Sequence, residues 1–213
     1  MEYATIGNTD IQVSKLCLGC MSFGDGSTHS WALDEQASDR IIHHALDVGI
    51  NFFDTANVYF NPGRLSKEAI NREIDGTLKR LGTDYLDLYI IHRFDYDTPI
   101  EEAMGALNDL VKAGKVRALG ASAMYGYQFY NMQQVAKDHG WTPFSVMENH
   151  YNLLYREDEH ELIPICKQFN VSLMPYSSLA SGHLTRPTWN SDSKRSHDDP
   201  AARGKYDHME ETD

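Results

Sequence analysis

The sequence predicts an α/β protein of the (β/α)8 TIM-barrel class that is incomplete in this chain. Segments rich in Ile, Leu, Val and Tyr alternate with amphipathic segments as far as residue 176. This alternation indicates parallel strands with helical crossovers, because parallel neighbours cannot be joined by a tight turn. Six such strands and five helices can be identified, and the turn after the first strand lacks a dinucleotide-binding glycine pattern.

The first elements are a hairpin and one strand–helix–strand unit. Apolar and polar residues alternate over 3–6 and 11–13, on either side of the turn sequence GNTD at 7–10. A short strand at 15–18 follows, and Asp34 is a suitable N-cap for a helix at 35–48 that Gly49 ends. The next strand is predicted at 50–53.

The later elements continue the same alternation in a single domain. Helices are predicted at 67–81, 100–113, 128–139 and 157–169, and strands at 86–91, 116–121, 145–148 and 171–176. Residues 1–213 are expected to form one domain, given their number and composition. The tail at 185–213 has little apolar periodicity, and we expect a loop or disorder there.

The alternative to a barrel is an open doubly wound sheet. A doubly wound nucleotide-binding protein normally carries a G-x-G-x-x-G turn after its first strand. Residues 19–24 read GCMSFG and do not fit that pattern. The barrel is therefore favoured.

Composition excludes several classes of function. A net charge of −12 disfavours nucleic acid as a partner. The sequence shows neither a leader segment nor 18 consecutive apolar residues. We therefore expect a cytoplasmic protein without a membrane partner. Cys17 and Cys20 have C-x-x-C spacing, with Cys166 as the third cysteine. A metal or redox role would need a second Cys or Cys/His pair at zinc-site distance, and the sequence has none. Packing in a strand is therefore the favoured interpretation.

Polar residues follow the predicted strands, where a β/α barrel carries its active site. Each alone has a structural interpretation, since Asp54 can cap a helix, His92 can be a core imidazole and Tyr176 can be packing. A carboxylate, an imidazole and a phenol at strand ends together indicate proton transfer. The set consists of Asp54, Tyr59, His92, Ser122, Glu148, Asn149, Tyr176 and Ser177.

Residues 54–59 (DTANVY) resemble the D-T-A-x-x-Y motif of the aldo-keto reductase family. Further similarity lies at 81–88, 91–93, 113–122, 151–156 and 174–180, and the resemblance extends over about residues 3–187. The 151–156 segment is most similar to the branch with potassium-channel β-subunits and bacterial relatives.

The resemblance implies NADP(H)-dependent reduction of a small aldehyde or ketone to an alcohol. Tyr59 would protonate the carbonyl oxygen, His92 would orient the substrate, and Asp54 would support the proton donor. Tyr176 would stack on the nicotinamide. The implied cofactor-binding residues are Asp54, Ser122, Glu148, Tyr176, Ser177, Leu179 and Gly182. The identity of the substrate, the preference for NADPH over NADH and a homo-oligomeric state stay open.

The sequence also departs from the family pattern. In the family a helix, a strand and a lysine follow the tyrosine, whereas here Phe60 follows at once, and Lys67 at the start of a helix does not fill that role. Ala123, Glu148 and Ser178 stand where asparagine, glutamine and proline are usual. Whether Glu148 is ionised near the nicotinamide stays open. The eighth strand, with the groups for the 2′-phosphate, has no counterpart.

Two further functions compete with carbonyl reduction. A catalytically impaired family member, acting as a binding subunit or remnant, would keep the fold without turnover, and the absent lysine favours it. An unrelated barrel isomerase or lyase using Asp54 and His92 is weaker, because the other family matches occur in order.

Overall fold

The computed structural model describes residues 1–24, 26–27, 30–56, 64–185 and 197–199. In this part of the chain eight strands and five α-helices occur. The strands are β1 (Tyr3–Thr5), β2 (Gln12–Ser14), β3 (Leu18–Gly19), β4 (Phe53–Asp54), β5 (Leu86–Ile91), β6 (Val116–Ser122), β7 (Phe144–Glu148) and β8 (Ser172–Leu173). The helices are α1 (Glu35–Asp47), α2 (Lys67–Leu81), α3 (Ile100–Lys112), α4 (Gly126–His139) and α5 (Leu162–Gln168). The predicted alternation of six strands with five helices after the hairpin is confirmed.

The parallel strands form two separate sheets. β5, β6, β7 and β8 lie side by side in that order, and β3 pairs with β4. No pairing joins β4 to β5 within the described residues. This arrangement is an incomplete parallel barrel, in agreement with the predicted fold class.

The predicted hairpin is confirmed and contacts the barrel at its turn. Tyr3 pairs with Ser14 in the antiparallel ladder of β1 and β2. Gly7 has a φ of +45°, its amide donates to Ser172 Oγ at 2.7 Å, and a Cβ there would lie 2.6 Å from the Ser145 carbonyl oxygen. Glycine is needed because the backbone is left-handed and the approach is close.

Two apolar clusters lie on opposite faces of the strands. The larger one packs α2 to α5 against one face and contains Ile74, Leu107, Leu119, Phe129 and Met147. The smaller one, which we call the interior cluster, lies on the face without helices. It consists of Ile6, Ile11, Ala118 and Val146, with Val13, Phe52, Leu88 and Met174 packed against them.

Several element boundaries differ from the prediction for identifiable reasons. The helix expected at 157–169 is a 3-10 turn (Glu157–Glu159) followed by α5. Pro164 has no N–H, so it fits only in the first turn of a helix, which places the start near Leu162. β8 is shorter than predicted, although the amides of Met174 and Tyr176 still donate to β7 and its extension.

Candidate active site

Five of the predicted site residues, one from each of five strands, share the interior face of the sheet. Successive residues of a strand point to opposite faces, so an even separation keeps two side chains on one face. Each of these five residues follows a member of the interior cluster by two or four positions. The pairs are Phe52 and Asp54, Leu88 and His92, Ala118 and Ser122, Val146 and Glu148, and Met174 and Tyr176.

These side chains also lie at one end of the barrel. β3 and β4 are parallel, as are β5 to β8, and every site residue is the last of its strand or follows it. The register pairs Ser122 of β6 directly with Glu148 of β7. The hairpin residues in the interior cluster lie further toward the opposite end. The sequence predicted the end of the strands for these polar groups, and the face that they share is read from the structure.

Two carboxyl groups, those of Asp54 and Glu148, interact electrostatically in this interior. Burial raises the pKa of Asp54 above its usual value. Burial and the neighbouring charge of Asp54 raise the pKa of Glu148 to about 8. At neutral pH one carboxyl group of the pair, Glu148, therefore holds a proton.

Protonation of Glu148 changes the hydrogen-bonding groups that its side chain offers. A protonated carboxyl group offers one O–H donor and one carbonyl acceptor, whereas a carboxylate offers acceptors alone. An amide side chain has the same combination of donor and acceptor. Glu148 can therefore present to a ligand the pattern that glutamine presents at this position in the family.

Cys17, directly before β3, belongs to the same electrostatic environment. Burial, followed by the charges of Asp54 and Glu148, raises the pKa of its thiol to about 12. Burial likewise raises the pKa of Cys20. Both side chains remain neutral thiols, and no group of three or more metal-ligating side chains occurs among the residues described. The role of these cysteines in strand packing stays the favoured interpretation.

Tyr176 is stacked on other aromatic rings beyond the end of β8. Its ring lies 5.3 Å from that of His150 with an angle of 15° between the planes, and His150 stacks on Tyr155 at 4.3 Å. A backbone hydrogen bond from the Tyr176 amide to the Asn149 carbonyl fixes this position. Since His150 covers one face of the Tyr176 ring, any further stacking partner must use the opposite face.

The segment after Tyr176 is a compact turn of left-handed residues. Ser177, Ala180, Ser181 and Gly182 all have positive φ angles, between 48° and 97°. Leu179 is 61% exposed, and the amides of Ala180 and Gly182 donate to carbonyls within the turn. Ser177, Leu179 and Gly182 thus lie together in one turn, in which the amides of Ala180 and Gly182 are already hydrogen-bonded.

The predicted proton donor cannot be placed beside a lysine partner in the described part of the chain. The donor, Tyr59, lies outside the described residues. Lys67 is the first residue of α2, and its ammonium group pairs with Asp109 Oδ2 of α3 at 2.8 Å on the helix surface. Within the described residues, no lysine lies directly after the carboxyl end of any strand from β3 to β8. The structure thus agrees with leaving Lys67 out of the site.

The sequence did not single out the aromatic and polar residues around Tyr176. His150, Tyr155 and Asp158 come from the segment after β7, and Arg93 directly follows His92. A signal was present in the sequence for Arg93, which follows the predicted site residue His92 by one position, whereas Asn149 was itself predicted. Their convergence depends on loop conformations that periodicity does not predict.

Fold and site together define the class: a parallel β/α barrel with a polar centre at the carboxyl ends of its strands. The chain belongs to the aldo/keto reductase family, whose sequence profile matches residues 15–64 and 60–212. The two matched stretches meet between β4 and α2, where the sheet is also divided.

Similar proteins come from fungi. An aldo-keto reductase of Fusarium vanettenii is 38% identical over 244 residues, which cover 87% of this chain and 66% of that protein. Versiconal hemiacetal acetate reductase of Aspergillus parasiticus is 36% identical, over 88% of this chain and 70% of that protein. A Saccharomyces cerevisiae protein, provisionally named as an aryl-alcohol dehydrogenase, is 35% identical over 99% of this chain and 77% of its own length.

The chain spans 66% of the length of the first of these relatives. The aligned length of 244 residues exceeds the 213 residues of the chain, so that relative contains positions without a counterpart here. No helix among the described residues is long and apolar enough to cross a membrane.

Proposed function

We propose that the chain binds NADP(H) at the carboxyl end of its strands and reduces an aldehyde or ketone to the alcohol. The observation that carries this proposal is the convergence of five strand-end side chains on the interior face, in a member of the aldo/keto reductase family. The oxidoreductase names of the relatives support the same chemistry. A small carbonyl compound is the proposed substrate.

The residues present are compatible with a nicotinamide cofactor. NADPH would supply the hydride. Ser122 and protonated Glu148 offer hydrogen-bonding groups for a carboxamide, and the ring of Tyr176 offers a stacking face. Ser177, Leu179 and Gly182, in the turn that follows Tyr176, would lie next to the bound cofactor. Asp54 would be the charged member of the carboxyl pair.

The proposed proton transfer involves the chain's own side chains. Tyr59 would donate its phenolic proton to the carbonyl oxygen as that oxygen gains negative charge. His92, on the interior face, would hold the oxygen by a hydrogen bond. An ionised Asp54 beside Tyr59 would raise the pKa of the phenol, so a cation is needed to offset it. In the family that cation is the lysine for which this chain has no counterpart.

A specific observation favours a second candidate function, an NADP(H)-binding protein with little turnover. The division of the sheet between β4 and β5 lies where the family has a further helix, strand and lysine. Next to it, α1 buries Ser38 and Ala45 and leaves the apolar Ile41 and Leu46 exposed. Such a chain would keep a cofactor site while its general acid stays poorly tuned.

One experiment distinguishes the two functions. NADPH binding is followed by the change in its fluorescence, and turnover is measured with 4-nitrobenzaldehyde for the chain and for Tyr59→Phe. Loss of a charge that tunes a general acid lowers the rate by about 10² to 10⁴ relative to an intact relative. Binding with turnover that Tyr59→Phe abolishes supports the reductase. Binding with equal residual rates in both supports the binding protein, and absence of binding contradicts both.

The finer assignments remain proposals. Membership in the branch with potassium-channel β-subunits and bacterial relatives rests on the segment at 151–156, in which Arg156 forms two hydrogen bonds with Glu159. The cytoplasmic location and a homo-oligomeric state rest on the sequence alone.

A further inference from the structure

Tyr176 is the end member of a stack of three nearly parallel rings. The Tyr155 ring lies 4.3 Å from the His150 ring with an angle of 19° between the planes, and the His150 ring lies 5.3 Å from that of Tyr176 at 15°. Both faces of His150 are therefore covered by this chain. A ligand ring can extend the stack at this end only on the face of Tyr176 that points away from His150. The tilt of that face depends on the two rings behind it.

Asn152 fixes the Tyr155 end of the stack. It is buried, with 5% of the residue exposed, and its Oδ1 accepts from the amides of Leu154 and Tyr155, both at 2.9 Å. The backbone of Asn152 also exchanges two hydrogen bonds of 3.2 Å with that of Tyr155. An asparagine side chain that accepts from amides shortly after it in the chain closes a tight loop. The backbone that carries the Tyr155 ring is thereby fixed relative to Asn152.

The same side chain fixes the backbone at the Tyr176 end. Asn152 Nδ2 donates to the Ser177 carbonyl at 2.9 Å. Ser177 directly follows Tyr176 and has a φ of +58°, a left-handed conformation that is unfavourable for residues other than glycine. Its carbonyl also accepts from the Ala180 amide at 2.8 Å. These hydrogen bonds stabilise the conformation from which the Tyr176 ring projects.

An amide side chain suits this connection because it has both an acceptor and a donor. The oxygen of Asn152 holds the loop of Tyr155, and the nitrogen holds the carbonyl of Ser177. These partners are backbone groups of the chain itself, so Asn152 acts through Tyr176 rather than on a ligand. An aspartate at this position would keep the acceptor and lose the donor when ionised, whereas an alanine would lose both.

We propose that Asn152 is a positioning residue that holds the Tyr176 ring as a platform for the nicotinamide ring. This inference rests on the proposed function, in which the cofactor stacks on Tyr176. Without the Asn152 side chain, the loop of Tyr155 and the conformation of Ser177 both loosen, and ordering the platform then costs conformational entropy when the cofactor binds. A cofactor fragment that lacks the nicotinamide does not use the platform, so its affinity does not carry this cost.

The test compares two ligands by isothermal titration calorimetry, NADPH and 2′-phospho-ADP-ribose, which lacks the nicotinamide. The ratio of their affinities isolates the contribution of the nicotinamide, whereas a general loss of stability lowers both affinities in proportion. Asn152→Ala should lower this ratio about three- to tenfold, the size expected for the loss of one aromatic stacking contact. Asn152→Asp, which keeps the loop of Tyr155, should also lower it, and this variant carries the test where Asn152→Ala does not fold.

Asn108→Ala is the matched control. Asn108 is likewise buried, with 3% of the residue exposed, and its Oδ1 accepts from the amide and the hydroxyl group of Thr142. It joins α3 to the loop before β7, at the amino end of the strands. Its loss should therefore destabilise the chain and leave the affinity ratio unchanged. Tyr176→Leu removes the platform itself and should lower the ratio at least as much as Asn152→Ala.

The outcomes separate this inference from the proposed function. A ratio that falls in Tyr176→Leu but not in Asn152 variants whose folding circular dichroism verifies overturns the positioning role and leaves the proposed cofactor site intact. An equal fall in Asn108→Ala also overturns it, because the effect would then follow stability alone. A ratio unchanged in Tyr176→Leu, or no binding of NADPH by the unchanged chain, contradicts the proposed cofactor site and this inference with it.

Discussion

Replacement of Glu148 by glutamine should remove much of the pH dependence of folding stability. In the folded chain, burial and the neighbouring Asp54 raise the pKa of Glu148 from 4.5 to about 8. Between these values the folded protein holds a proton that the unfolded chain releases. Stability is therefore highest below the unfolded pKa and decreases as the pH rises toward the folded pKa.

The magnitude follows from proton linkage. One extra proton bound in the folded state changes the free energy of unfolding by about 1.4 kcal/mol for each pH unit. Between pH 5.5 and 7.5 the unchanged chain should thus lose roughly 3 kcal/mol through Glu148. Glutamine does not titrate and keeps the donor and acceptor of the protonated acid, so Glu148→Gln should lose much less over the same interval.

The measurement is urea unfolding at pH 5.5, 6.5 and 7.5, followed by tryptophan fluorescence. Urea is preferred to guanidinium because it does not screen the charges of the site. Glu101→Gln, on the exposed side of α3, serves as the control and should follow the unchanged chain. Parallel pH profiles for the unchanged chain and Glu148→Gln would refute the protonation of Glu148 and with it the proposed mimicry of an amide.

Two other substitutions test the structure away from the site. Gly7→Ala should cost about 2 kcal/mol or more, because its Cβ would approach the Ser145 carbonyl, whereas Gly82→Ala, also left-handed but with open space around it, should cost about 1 kcal/mol. Equal losses of unfolding free energy would show that the hairpin does not approach β7 this closely. Asp95→Ala should lower the free energy of unfolding by about 1 to 3 kcal/mol, since its carboxylate accepts from the Leu65 amide at 2.8 Å and from two groups of its own loop. An unchanged unfolding midpoint would contradict the ordered loop.

Helices were predicted most accurately where apolar spacing and stop signals agree. Residues 67–81 match α2 at both ends, because Ser66 accepts from the Ala69 amide and Gly82 adopts the left-handed conformation that ends a helix. The helix predicted from residue 157 begins only at Leu162, because Pro164 has no N–H and fits only in the first turn of a helix.

The interior site residues were predictable because strand alternation and strand ends suffice to locate them. Asp54 and Ser122 needed no knowledge of loop conformations. The charge state of Glu148 was not predictable, since it depends on burial and on the proximity of a second carboxyl group from a distant strand. The aromatic residues around Tyr176 were missed for a related reason, because His150 and Tyr155 come from the loop after β7, whose conformation periodicity does not predict.

The two-residue repeat of the strands has a consequence for the divergence of related proteins. Neighbouring positions such as His92 and Arg93, or Glu148 and Asn149, point to opposite faces of the sheet, so a point substitution at one position can alter one face and spare the other. An insertion or deletion of a single residue near the end of β5 or β7 has the opposite effect, because it exchanges the groups on both faces at once. Selection should therefore accept replacements at these strand ends while rejecting changes in length.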